Sequence, residues 1–292
     1  MSMSTRLKNL LNRLEVLKRE VEKESKRTGN YYNNNYNTIP LDFVEFNRWL
    51  GLPIKDGREH DIYPYELDYY NKVKEHRLVI VNKATGIGMT EITLRLMLHA
   101  ALTWNLGNKR LCIVSGTRLE HARELLNRLE GIITRRQKWL IKNKDHTSIR
   151  LFNGYFFKVY PAANIDAIRG LDDVSFIFVD EAAFFRLKDQ NRVRDAIERY
   201  VAKTYPFIVW VSTPRGRAGA FYEIYNEALE GKNSYYALTL PYTVALNMLL
   251  DEGHIELQKR IKGRLFMQEY CCKFIESDDS IFSEEDIKEL II

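Results

Sequence analysis

The sequence predicts an α/β fold with a mainly parallel central sheet flanked by helices. Three observations predict it. Short apolar runs rich in β-branched residues, such as Leu78-Val79-Ile80-Val81, recur between helical segments. The runs are apolar throughout instead of alternating, which is the pattern of strands buried on both faces. Two of them stop at polar residues suited to a ligand, Asp180-Glu181 and Ser212-Thr213, and ligands of such sheets gather at the carboxyl ends of the strands.

Length and composition bound the reading. At 292 residues the chain accommodates one large domain with a small appendage. It is 45% hydrophobic and 28% charged, a balance that excludes global disorder. No run approaches the roughly 18 apolar residues of a membrane helix, so no membrane partner is expected, and the basic start lacks the apolar centre of a secretion signal. Cys112, Cys271 and Cys272 show no CxxC or Cys/His spacing, so zinc is not expected and a reducing interior is the simplest compartment. A net charge of +5 permits a nucleic-acid partner without demanding one.

The elements follow in order. Residues 5–28 read as a charged helix with Leu7, Leu10, Leu14, Leu17 and Val21 on one face; that face packs either on its own domain or on a partner subunit. Residues 29–37 are polar and low in complexity, a linker. A compact helix covers 41–50 and breaks at Pro53. Strand 78–81 leads into helix 91–104, and strand 111–114 into helix 118–133. Residues 148–151 and 155–160 flank Asn153-Gly154, a two-residue hairpin signal. Strand 176–179, helix 191–202, strand 207–211, helix 221–229, strand 235–240 and a mostly helical end complete the chain. Residues 1–37 are thus a basic helix and linker, 38–230 the core, and 231–292 a small closing subdomain.

Three segments carry chemistry. Lys83, Ala84, Thr85, Gly86, Ile87, Gly88, Met89 and Thr90 join a strand to a helix, where backbone amides and a helix N-terminus can face a phosphate. The usual pattern is GxxxxGK[ST]. Here Lys83 stands at the first glycine's place and Met89 at the lysine's, while Thr90 is placed to hold Mg²⁺. Alone, the segment also reads as a plain glycine-containing turn. Asp180-Glu181 closes a buried strand, with Asp180 placed to hold Mg²⁺ and Glu181 to activate water; alone, it also reads as an acidic strand end. Ser212-Thr213-Pro214-Arg215-Gly216 suits contact with a terminal phosphate, or a simple turn. Together, in this order and each at a strand's end, the three predict a P-loop NTPase of the ASCE type, which keeps a catalytic glutamate beside its metal aspartate.

On these residues the sequence resembles the ATPase domain of large terminase subunits from tailed bacteriophages and related archaeal viruses, from about residue 41 onward. Tyr63-Pro64-Tyr65-Glu66 is similar to that family's adenine-binding segment, with Glu66 in place of glutamine. The deviant loop begins with a basic residue, as the family's does. Asp166-Ala167-Ile168-Arg169-Gly170, Asp180-Glu181-Ala182-Ala183-Phe184, Ser212-Thr213-Pro214, Phe266-Met267-Gln268-Glu269-Tyr270 and Ser280-Ile281-Phe282 match its later segments. The resemblance implies ATP with Mg²⁺, Lys83 as the phosphate-facing cation, Tyr65 and Glu66 near adenine, and Arg169 reaching into a neighbour's site. It implies a homo-oligomeric ring that pumps double-stranded DNA into a procapsid in the host cytoplasm, with portal protein and small terminase subunit as partners. Candidate DNA grips are Arg135, Arg136, Lys138 and residues 142–144, which also read as a solvated basic helix.

The family usually adds a C-terminal nuclease domain, and this chain is expected to stop before it. Its closing acids, Glu276, Asp278, Asp279, Glu284, Glu285 and Asp286, read as a solvated turn and helix start. Two other readings share the same motifs: a helicase-like translocase, and a catalytically weak nucleotide-binding assembly subunit.

Overall fold

The computed structural model describes residues 39–116 and 118–275. The expected helix at 5–28, the linker at 29–37, Ser280-Ile281-Phe282 and the closing acids lie outside the described residues.

Helix α1 (Phe43–Leu50) starts where the Asp42 carboxylate accepts the Glu45 amide at 3.0 Å, and ends at Gly51 with φ 72°. A short ladder pairs β1 (Ile54–Lys55) with β2 (Arg58–Glu59). Helix α2 (Pro64–His76) leads to β3 (Leu78–Lys83), α3 (Met89–Thr103), β4 (Arg110–Ser115) and α4 (Leu119–Thr134). Strands β5 (Ile141–Lys144), β6 (Ser148–Leu151) and β7 (Phe156–Tyr160) come next, then β8 (Val174–Asp180), α5 (Leu187–Lys203) and β9 (Phe207–Ser212). Helix α6 (Ala220–Leu229), β10 (Tyr236–Leu240), α7 (Glu252–Lys262) and α8 (Arg264–Glu269) finish the described chain.

Eight strands form one sheet in the order β10-β3-β9-β8-β4-β7-β6-β5. The pairs from β10 to β7 are parallel, and β6 and β5 add antiparallel at one edge. Side chains alternate across the sheet. Val79, Val81, Phe176 and Phe178 pack on one face with Met97 and Leu126. Ile80, Ile177 and Trp210 pack on the other with Ile197 and Phe221. The segment from residue 231 contributes β10 to this sheet, in register with β3 from Tyr236↔Val79 to Leu240↔Lys83.

Periodicity does not reveal α2, because its inward face is Tyr65, Tyr69, Tyr70 and Val73. A buried tyrosine needs a partner for its hydroxyl. Tyr65 donates to the Ile87 carbonyl at 2.9 Å, and Tyr69 pairs with Thr93 Oγ1 at 2.8 Å. Below them Arg95 of α3 donates to Glu66 Oε1 at 2.7 Å, with their side chains 1% and 3% exposed, and also to Asn47. Removing one partner of a buried pair leaves an uncompensated charge, which costs about 3–5 kcal/mol. Glu66→Ala should therefore lower stability by about 3 kcal/mol, the low end because Asn47 and, at 3.7 Å, the Glu91 carboxylate stay on Arg95. Thermal unfolding of Glu66→Ala beside Glu66→Gln checks this, and equal midpoints for the three proteins would refute it.

The solvated basic helix considered for residues 142–144 is corrected. Lys142 and Lys144 lie on the edge strand β5, paired with β6, and Lys138 lies in a 3₁₀ turn. Of the other candidate grips, Arg136 and Arg135 reach Glu59 at 2.5 and 3.4 Å, and Arg135 also donates to the Gly51 carbonyl. Lys144 holds Glu130 at 2.6 Å. Among the described residues no helix is long and apolar enough to cross a membrane.

Candidate active site

The parallel strands β3, β9, β8 and β4 lie side by side and end together, so each delivers its terminal residues to one edge. In register, Asn82 of β3 lies beside Ser212 of β9, Val211 beside Asp180 of β8, and Asp180 beside Ser115 of β4. One strand, β9, separates the strand before the glycine loop from the strand that carries the acids.

The loop after β3 turns through Gly86 and Gly88, both in the left-handed region at φ 79° and 74°, which glycine adopts without steric cost. Its first amides are engaged: Ala84 donates to the Leu240 carbonyl at 2.8 Å and Thr85 to the Glu269 carbonyl at 2.7 Å. The segment Phe266-Met267-Gln268-Glu269-Tyr270 is thereby tied to the loop. The amides from Gly86 to Thr90 make no hydrogen bond among the described residues, and α3 begins at Met89 with no side-chain cap. Successive open donors at a helix N-terminus suit a phosphate.

Lys83 lies at the end of β3 with its side chain 9% exposed, and its Nζ donates to Glu181 Oε1 at 2.6 Å. The Glu181 Oε2 atom accepts from the Ser212 hydroxyl and the Thr213 amide, each at 3.2 Å. Glu181 itself has φ 53°, a left-handed conformation that costs a non-glycine residue about 1–3 kcal/mol. The bond from its amide to the Val211 carbonyl at 2.8 Å helps to hold it there. The Thr90 hydroxyl donates to Asp180 Oδ1 at 3.0 Å. Burial, and then the neighbouring Glu181 charge, push the Asp180 carboxyl up to about 7, against the opposing pull of Lys83 and Thr90. A hydroxyl beside a carboxylate that is costly to ionise without a counter-charge is a donor set that fits a hard divalent cation.

A cleft of about 430 Å³ opens at this edge, lined by Thr85, Ser115, Gly116, His121, Glu181 and Thr213, with Phe184 and Phe185 as an apolar wall. The sequence reading did not single out Ser115, Gly116 or His121. The signal was available, since β4 also runs through a glycine turn into a helix.

The structure gathers Lys83, Thr90, Asp180, Glu181, Ser212 and Thr213 and leaves others aside. Glu66 is consumed by Arg95 and by the Tyr63 amide at 3.2 Å, and the Tyr65 hydroxyl braces the loop from beneath. Arg169 does not line the cleft; its Nε pairs with Asp166 at 2.7 Å, and Asp166 is shared with Arg192. Among the described residues no group of three or more His, Cys, Asp or Glu side chains is placed to hold a metal ion.

Comparisons with known proteins bear on the family and the fold. Residues 80–289 match the family described as terminase large subunit, T4-like-virus type, N-terminal. No curated protein sequence matches the chain. The HK97 bacteriophage large terminase superposes with a TM-score of 0.64 at 15% identity, over 80% of this chain and 54% of that one. The ATPase domain of the Thermus phage P74-26 large terminase gives 0.57 at 14%, over 79% and 98%. The large terminase of another thermophilic bacteriophage, in complex with ADP, gives 0.56 at 16%, over 73% and 53%. The chain thus spans about half the length of the HK97 protein and of the ADP-bound one. The shared fold is that of ASCE-type P-loop NTPases with a mainly parallel sheet and flanking helices.

Proposed function

The chain belongs to the terminase large-subunit family, and on that premise we propose that it is a Mg²⁺-dependent ATPase that drives double-stranded DNA into a procapsid. The observation that carries this reading is the convergence of Lys83, Thr90–Asp180 and Glu181 at one sheet edge beside open loop amides. In this reading the motor works as a homo-oligomeric ring in the host cytoplasm, with portal protein and small terminase subunit as partners.

Thr90 and Asp180 would hold Mg²⁺, and the ion would offset the negative charge that develops on the phosphate oxygens. The amides from Gly86 to Thr90 cradle the phosphates. Lys83, paired with Glu181 before nucleotide arrives, moves its ammonium to the triphosphate, a transfer that its long flexible stem allows. That transfer frees Glu181 Oε1, while Ser212 and Thr213 keep hold of Oε2. The freed oxygen accepts a proton from the attacking water. Loss of phosphate is then felt at Ser212-Thr213, which touch the same carboxylate, and is relayed to loops that grip DNA phosphates without reading sequence.

Phosphate release with duplex DNA present tests the reading. The wild type should turn over ATP. Lys83→Ala should raise the KM for ATP at least about tenfold, the size of a lost contact to a charged group, and Lys83→Arg should recover part of it. An unchanged KM in Lys83→Ala would remove the cation role, and a wild type that stays inert when assembled with DNA and portal protein would remove the enzyme.

A further inference from the structure

Helix α5 turns Val193, Ala196, Ile197 and Tyr200 toward the sheet face that carries Ile177 and Trp210. At the head of that apolar stripe, in the first turn of the helix, stands an amide. Gln190 is 2% exposed, at a position where periodicity calls for a hydrocarbon. A polar side chain is buried at a cost unless its groups are bonded, and those of Gln190 are. Its Nε2 donates to the Ala183 carbonyl at 3.3 Å and to the Phe185 carbonyl at 3.1 Å, and its Oε1 accepts from the Phe221 amide at 3.3 Å. Turning the amide over would set its oxygen against two carbonyls and its nitrogen against an N–H, so the bonds fix its orientation.

Both carbonyls belong to the turn that follows Glu181. That turn begins strained, with Glu181 at φ 53°, and such a conformation persists only where its surroundings over-determine it. One hold comes from β9: the Glu181 amide donates to the Val211 carbonyl, and the Ala183 amide to the Ser212 hydroxyl at 3.1 Å. The other comes from Gln190. Ala183 is thus gripped through its N–H by β9 and through its C=O by α5. Gln190 is fixed in turn by α6, whose Phe221 and Ile224 lie in the core. Gly219, at φ 91°, makes room for it: a β-carbon there would collide with Gln190 Oε1 and lie 2.9 Å from its Cδ. Phe184 and Phe185, the apolar wall of the cleft, ride on the same turn.

We propose that Gln190 is a positioning residue for hydrolysis: its buried amide holds the turn after Glu181 in the conformation that aims the carboxylate at the attacking water. The inference rests on the reading of Glu181 as the base. Gln190 does not line the cleft, and it acts through Glu181. The glycine loop and the Thr90–Asp180 pair are held by other contacts, so nucleotide affinity does not depend on it.

Kinetics of the full chain, assembled with duplex DNA and portal protein, test this. Gln190→Met keeps the volume and removes all three bonds. Gln190→Glu keeps an acceptor for the Phe221 amide but sets a carboxylate against two carbonyls. Each should lower kcat about ten- to a hundredfold, the order expected when a reacting group is displaced by about an ångström, with the KM for ATP unchanged. In a Glu181→Ala background the same substitutions should lower kcat no further, because the group they aim is gone. Wild-type kcat in both variants, with unfolding midpoints showing them folded, would overturn the assignment. So would an equal fall in the two backgrounds, which marks a role in stability alone. Hydrogen exchange gives a readout that needs no turnover: the amides of residues 181–185 should exchange at least about fivefold faster in Gln190→Met, the worth of one lost hydrogen bond. If the assembled wild type is inert, faster exchange there ends the ATPase reading and leaves the hold of Gln190 on the turn standing. Unchanged exchange overturns that hold whatever the wild type does.

Discussion

Replacing Glu181 with alanine is expected to lower the DNA-stimulated turnover of ATP at least about a hundredfold, the typical worth of a positioned acid–base group. Nucleotide affinity should hold or improve. In the proposed mechanism an incoming triphosphate draws Lys83 away from a carboxylate 2.6 Å distant, and the alanine variant removes that competitor. The loss should therefore fall on kcat and not on KM, the signature of an interaction needed in the transition state. Glu181→Gln is the control for shape: it keeps an acceptor for Ser212 and Thr213 but cannot take a proton from water, so it should be nearly as slow. Single-turnover phosphate release, paired with a binding measurement for ADP, gives both quantities. Hydrolysis at the wild-type rate by either variant would mean that the base lies elsewhere.

Arg169→Ala should lower turnover in the proposed ring by about a thousandfold, the lower end for an arginine that stabilises phosphoryl-transfer charge, while leaving the isolated subunit's nucleotide binding intact. In the single chain Arg169 is paired with Asp166 and is not among the residues lining the cleft. The surface pair that holds it is worth little, about 0–1 kcal/mol, so a neighbour's triphosphate can draw the guanidinium away. Mixing subunits is decisive. Glu181→Ala subunits keep an intact Arg169, and Arg169→Ala subunits keep an intact Glu181. If the arginine acts across a boundary, two inactive preparations regain activity when combined, because mixed boundaries bring the intact groups together. If the mixture stays dead, the arginine acts within its own chain or not at all.

Strand positions were legible because the parallel strands are buried on both faces and so are written as uninterrupted apolar runs. The antiparallel edge was only half legible. The hairpin of β6 and β7 announces itself through Asn153-Gly154, whereas β5 is Ile141-Lys142-Asn143-Lys144, and an edge strand that meets solvent has no need of an apolar run. Helix α2 hid for a related reason: a tyrosine face buries rings and pairs hydroxyls, and periodicity counts such residues as neither inside nor outside.

Order along the chain and the grammar of strand, small-residue turn and helix were enough to say that Lys83, Thr90, Asp180, Glu181 and Ser212 belong to one edge. Those facts are local, because a parallel sheet places every strand's carboxyl end on the same side. Partners were a different matter. That Lys83 rests on Glu181, that Glu66 is spent on Arg95, that Glu269 ties the glycine loop and that Ser115 of β4 and His121 of α4 line one cleft with the acid depend on which elements are neighbours. Neighbourhood in a sheet with crossovers joins residues 98 apart, as for Lys83 and Glu181, and is set by packing of the whole chain rather than by any window of it.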